Sequence, residues 1–273
     1  MLSGCKSPSL AARLAKLNGL TQAALSSQKK EEDLCALCVV FSPEENLCLE
    51  AAEEHDDLFL KDLPEAVLAR ARSFLSAKRR REFLFNRLLL YKMAKTLDLR
   101  VFEDPPRSPS LVSVDGAPFF ASISHTSGAV ALMIAESPCA LDAEVMIPAR
   151  ATQHLTARVF GEDAVSTIAA DPVLGFYTLW GLRECAVKMR ARFVKPQKDQ
   201  GPAILLSEQT SARQREGSAP IVWTRHILKR PDDSVLLTLV LAASAGSALL
   251  ATAHFNDGSF SFAPAANLTF KAL

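Results

Sequence analysis

Apolar and polar positions alternate between two periods along this chain, and the changes of period mark its elements. Residues 35–41, "CALCVVF", form a short uncharged run that predicts a buried strand. From 62 to 99 apolar residues recur every three to four positions, predicting two helices, with Pro64 in the first turn of one. The stretch "EDPPRSPSLVSVDGAPFF" (103–120) reads as a loop on its Pro, Ser and Gly content. Two short strands follow, "ASIS" and "AVALMIA", joined by "HTSG", and a further strand, "CALDAEVM", opens at Cys139. Residues 151–192 return to helical spacing, and 195–218 are polar and read as irregular. The chain closes in extended segments: "APIVWTRHIL", a "KRPDDS" turn, "VLLTLVLAA", and "SALLATAHF" ending at an Asn256-Asp257-Gly258 turn. Strand, helices, then strands occur twice, so the predicted class is α+β in two coarsely similar halves, without a residue-level repeat. The expected division is a basic N-terminal extension (1–33), disordered or helical, an N-terminal subdomain (34–137) and a C-terminal subdomain (138–273).

Composition narrows the function classes. Hydrophobic residues make up 49% of the 273 positions and charged residues 22%, which suffices for a sizeable core. The net charge of +1 gives no global attraction to nucleic acid or an anionic membrane, so any anion site must be local. No run reaches the ~18 uninterrupted apolar residues of a membrane span. Six cysteines in a chain this long do not make a disulfide framework, and Cys35 and Cys38 have no second pair at zinc-finger spacing. They read as buried strand residues, and a reducing compartment is the default. The first 30 residues hold no Asp or Glu but several Lys and Arg. They resemble an organelle transit peptide, against the plainer alternative of an amphipathic or ill-ordered arm. A cytoplasmic location is therefore expected, with organelle import as the alternative.

Candidate chemistry is sparse. Asp142 and Glu144 alternate on a strand and share one face, where two carboxylates suit Mg²⁺ but equally a solvated edge. Glu184 and Lys188 stack one helical turn apart, as an ordinary surface ion pair would, with Arg183 beside them. His125 sits between two predicted strands. The run "KRRREF" (78–83) reads as a wet helix face. Arg70 and Arg87 lie in apolar-striped helices, where a guanidinium fork suits a phosphate.

Order and spacing add what single residues lack. "DGAPFFASISHTSG" comes first, then "ALDAEV", with Asp142 seventeen residues after His125, then "FYTLWGLRECAVK" about forty residues on. This succession resembles the Sfp-type 4'-phosphopantetheinyl transferases, whose pattern runs G-x-P, S-H-S, G-x-D-x-E and W-x-x-K-E-[AS]-x-x-K. "NRLLL" is similar to that family's R-x-LL-x element, and "EVMIPAR" to its bacterial carrier-protein branch. The likeness covers about residues 60–190.

The resemblance implies two pseudo-symmetric α/β subdomains with coenzyme A in the cleft between them. It implies Mg²⁺ on the pyrophosphate, held by Asp142, Glu144 and Glu184. A serine of an apo acyl or peptidyl carrier protein would attack coenzyme A, releasing 3',5'-ADP. Glu184 and Lys188 would be catalytic, Glu184 toward the serine proton and Lys188 toward the departing phosphate. Ser124, His125, Arg70, Arg87, Arg183 and Lys188 would contact coenzyme A. A monomer is expected, with no nucleic-acid or membrane partner. Four positions depart from the pattern: Ala117 and Ala140 replace a Lys and a Gly, Arg183 replaces a Lys, and Cys185 the small residue after Glu184. The three carboxylates are retained. The alternative from another class is a non-catalytic coenzyme A- or nucleotide-binding homologue acting as a scaffold.

Overall fold

The computed structural model describes residues 8–14, 34–41, 63–103, 110–113, 115–189, 191–194, 204–207, 221–242, 247–256 and 259–272. The chain is mixed α and β and divides into two units. One comprises Met1–Glu136 and Ser247–Asn267, the other Ser137–Gly246 and Leu268–Leu273. The final strands of the sequence-derived C-terminal half thus belong largely to the first unit.

The first unit is built on a seven-stranded sheet of order β12-β11-β1-β5-β4-β3-β2. Its strands are β1 (Leu34–Phe41), β2 (Leu99–Phe102), β3 (Ser110–Ser113), β4 (Pro118–Thr126), β5 (Ala129–Ala135), β11 (Ser247–Asn256) and β12 (Ser259–Thr269). The run β2 to β5 is an antiparallel meander. β11 lies parallel to β1, which pairs antiparallel with β5 on its other side. Successive residues 36–40 of β1 and 129–135 of β5 are all buried, so both faces of these two central strands are covered, which is why "CALCVVF" and "AVALMIA" read as unbroken apolar runs. Cys38 is fully buried there, and burial pushes its thiol up to about 12. The turn at Asn256 has its other two residues outside those described.

Helices α1 (Leu10–Leu14), α2 (Glu65–Arg72) and α3 (Ala77–Thr96) complete this unit. α3 is capped by the Ser76 side chain, which accepts the Arg79 N–H. Leu88, Leu89, Met93 and Leu97 pack with Leu37, Val39, Leu132 and Leu249 of the sheet. Leu10 and Leu14 join the same core. Arg13, only 4% exposed, donates from Nη1 to the Leu97 carbonyl at 2.9 Å and lies over the Phe119 ring. Residues 8–14 are therefore integral to the first unit, not an appended arm. Two local expectations fall. The 103–120 stretch holds strand β3 and the start of β4, joined by a hairpin turn in which Gly116 takes φ 91°. His125 is the penultimate residue of β4, because the link to β5 is only Ser127 and Gly128, the latter at φ 65°.

The second unit has a four-stranded antiparallel sheet, order β13-β9-β10-β6, of β6 (Cys139–Val145), β9 (Ile221–Lys229), β10 (Ser234–Ala242) and β13 (Lys271–Ala272). β7 (Ala191–Val194) and β8 (Ile204–Ser207) form a separate pair. The predicted helical region therefore ends at Met189, and the stretch read as irregular contains a strand. Three helices, α4 (Gln153–Phe160), α5 (Glu162–Thr167) and α6 (Pro172–Met189), belong to this unit. α6 covers the sheet: Phe176, Leu179, Leu182 and Ala186 pack with Ala140, Leu236 and Val240. Among the described residues no helix is long and apolar enough to cross a membrane.

Candidate functional site

In the second unit, β6 and α6 bring four of the sequence-predicted residues together. Among the described residues β6 is an edge strand with β10 its only neighbour in the sheet, and Ala140, Asp142 and Glu144 share the face that α6 covers. Asp142 is consequently only 5% exposed, and the solvated-edge reading fails.

α6 begins where Asp171 accepts the Leu174 N–H at 3.0 Å and Pro172 occupies the first helical position. Trp180, Glu184 and Lys188 fall at i, i+4 and i+8, a line along one side of the helix. The Trp180 indole N–H donates to Glu144 Oε1 at 3.1 Å. Lys188 Nζ donates to Asp142 Oδ1 at 3.1 Å and to the Leu141 carbonyl at 2.6 Å. Helix and strand numbers thus run in opposite senses across the contact, and Glu184 lies between the two tethers. At the far end of β6 the Tyr177 hydroxyl accepts the Ile147 N–H at 3.0 Å, a third fastening.

One glycine-sized approach sets the spacing. A β-carbon on Gly181 would overlap the buried Thr238 of β10, lying 2.7 Å from its Cβ. Gly181 thereby lets α6 settle against the sheet one residue after Trp180. Ala140, where the resemblance expects glycine, places its methyl in the apolar cluster under α6.

The electrostatics follow from this packing. Glu144 is pushed up to about 7, first by burial, then by the negative charge of Asp142; the Trp180 N–H opposes this, Glu184 adds to it, and Lys188 relieves it. Three carboxylates therefore share one electrostatic neighbourhood, short of positive charge. Burial, then Asp142, also raises the Cys185 thiol well above its ordinary range, so it behaves as an inert apolar residue. Arg183 is exposed, with its guanidinium 5.5 Å from the Trp180 ring centroid. It rests on the indole rather than reaching the carboxylates.

Among the described residues no group of three His, Cys, Asp or Glu side chains is drawn together as a ready metal-binding set. The donor chemistry nevertheless suits a hard divalent cation: three carboxylates, mutually repelling, with a lysine already on one of them. Asp142, Glu144 and Glu184 are the residues that would hold it.

The remaining candidates lie in the first unit. Arg70 of α2 and Arg87 of α3 flank one ring, with guanidinium carbons 5.5 and 4.8 Å from the Phe83 centroid. Arg87, 8% exposed, is also ion-paired to Glu103 at 2.6 Å. Tyr91 is raised by burial and by Glu103, with Arg87 opposing. Ser124 is buried on β4, whereas His125 is exposed on the opposite face, its Nδ1 3.7 Å from Glu82 of α3. In "KRRREF", Lys78 and Arg79 are exposed, but Arg80 to Phe83 are partly buried.

Sequence reading missed Gly181 and Phe83, and it noted Trp180 in the last motif without giving it a role. Trp180 stands four residues before Glu184 and Phe83 four before Arg87, the spacing of helical neighbours, which was the available signal. No family model and no curated protein matches this chain.

Proposed function

We propose that this protein is a 4'-phosphopantetheinyl transferase, moving the 4'-phosphopantetheine group of coenzyme A to a serine of an apo carrier protein and releasing 3',5'-ADP. The observation that carries the reading is the meeting of Asp142, Glu144, Glu184 and Lys188 across β6 and α6. Bound Mg²⁺ would neutralise charge on the pyrophosphate and polarise the phosphorus under attack. Glu184 then takes the serine proton as the Ser oxygen–phosphorus bond forms and the pyrophosphate phosphorus–oxygen bond breaks. Lys188 stabilises the negative charge that accumulates on the departing ADP. Trp180 fixes the rotamer of Glu144, and Ala140 and Gly181 fix the separation of strand and helix. Arg70 and Arg87, spaced by Phe83, are the candidates for the nucleotide phosphate, and Ser124 and His125 for further coenzyme A contacts. The fold implied is the two-subdomain transferase fold, working as a monomer.

The test is loading of an apo carrier protein from labelled coenzyme A, with Glu184→Gln as the paired variant. Wild type should load in an Mg²⁺-dependent manner, and the variant should lose at least about 100-fold in rate, the usual scale of a positioned general base. Undiminished loading by Glu184→Gln would remove its assigned role. The Arg87–Glu103 ion pair favours a second reading, a non-catalytic coenzyme A-binding homologue, because it occupies part of the guanidinium a phosphate would need. Coenzyme A binding without transfer to any carrier protein would select that reading.

A further inference from the structure

The second unit contains a cavity of about 480 Å³ bounded by the end of α5, the first half of α6 and strand β9. That volume falls within the roughly 300–1,000 Å³ of small-molecule sites. Ile168, Leu174, Leu179 and Trp223 supply its apolar walls, and among the described residues Arg225 is its single cation. The guanidinium is held in place: Arg225 Nη1 donates to Thr178 Oγ1 at 2.7 Å, and that buried hydroxyl in turn donates to the Leu174 carbonyl at 2.7 Å. Thr178 is 3% exposed, so the anchor sits in the packed helix and not on the surface. Among the described residues no carboxylate lies within ion-pair distance of Arg225. Asp171, the only acid in the lining among the described residues, spends one carboxylate oxygen capping the Leu174 N–H.

We propose that this cavity binds a small amphiphilic carboxylate, its anionic head on Arg225 and its apolar body against Trp223 and Leu179. One guanidinium with an edge fixed by a threonine presents its other donors as a fork, which matches a single carboxylate. Among the described residues the walls offer no second cation for a more highly charged head. This site is separate from the carboxylate group on β6, and the inference does not depend on the transferase reading.

4-Phenylbutanoate and its neutral twin 4-phenylbutanol serve as probes, titrated into the full chain by calorimetry. The protein has two tryptophans, Trp180 and Trp223, so its two indole N–H signals in ¹H–¹⁵N NMR report where the probe sits. The acid should bind saturably and at least tenfold more tightly than the alcohol, shifting the Trp223 signal more than that of Trp180. Arg225→Met should lose at least tenfold of the acid's affinity and none of the alcohol's, the loss expected for one charge-assisted hydrogen-bonded pair. Equal affinity for acid and alcohol, an unchanged Arg225→Met, absence of saturable binding, or a larger shift at Trp180 would each overturn the proposal. If Arg225→Met fails to fold, the acid-against-alcohol comparison on the unaltered chain decides alone.

Discussion

Glu144 shows how one residue's surroundings set its chemistry. Its carboxyl is raised to about 7 by burial and by Asp142, so the folded protein prefers it protonated where an unfolded chain would ionise it. The sign follows from linkage: its contribution to stability is fully present below about pH 4.5 and is lost as pH rises through 7. Thermal melts between pH 5 and 8 should show wild type losing stability relative to Glu144→Gln, by about 1–2 kcal/mol after allowance for solvent screening. A parallel pH dependence in the two proteins would contradict the assignment. Mg²⁺ should offset that loss, raising the melting temperature more at pH 8 than at pH 5; equal shifts would count against carboxylate ligation. Lys188→Met leaves Asp142 buried without its ammonium partner and should cost about 2–3 kcal/mol in chemical denaturation, besides abolishing the proposed transfer. The residue types here were legible in the sequence, but their burial was not. D-x-E on a strand looks the same whether a helix covers it or water does.

At the scale of elements, the α6–β6 contact rests on Gly181. Alanine is the better helix former by about 1 kcal/mol, yet its methyl would meet Thr238 and force α6 away from β10. Gly181→Ala should therefore destabilise by a net ~1–2 kcal/mol and depress the proposed transfer reaction by loosening the Trp180–Glu144 and Lys188–Asp142 tethers. Adding Thr238→Ala should recover part of both losses. A Gly181→Ala protein more stable than wild type would refute the close-packing account. The helices were legible because apolar residues recur every three to four positions along α3 and α6, although α3 buries its own only from Asn86 onward. Strands β3 and β8 were not, because four residues among Pro, Ser, Gln and Lys carry too little alternation to outweigh their neighbours. The position of His125 failed for a related reason: a two-residue turn leaves no room for the loop its polar neighbours suggested.

For the molecule as a whole, chain order is a poor guide to the units. The two halves could be read as successive, but Ser247–Asn267 returns to the first unit, where β11 pairs with β1, and Leu268–Leu273 passes back to the second. Parallel pairing between strands some 200 residues apart leaves no local signal, whereas the antiparallel hairpin β4–β5 does. A fragment ending at residue 137 should accordingly fail to fold, since β1 would lose its parallel neighbour and expose an apolar edge. Cooperative unfolding of that fragment by circular dichroism would contradict the topology. The central claim is the reaction itself, and intact-protein mass spectrometry tests it most directly. A panel of apo carrier proteins is incubated with coenzyme A, Mg²⁺ and this protein. The account predicts that at least one carrier protein gains the mass of one 4'-phosphopantetheine group, with 3',5'-ADP appearing in equal amount and both lost with Glu184→Gln. Unmodified masses across the panel from a folded, coenzyme A-binding protein would contradict it.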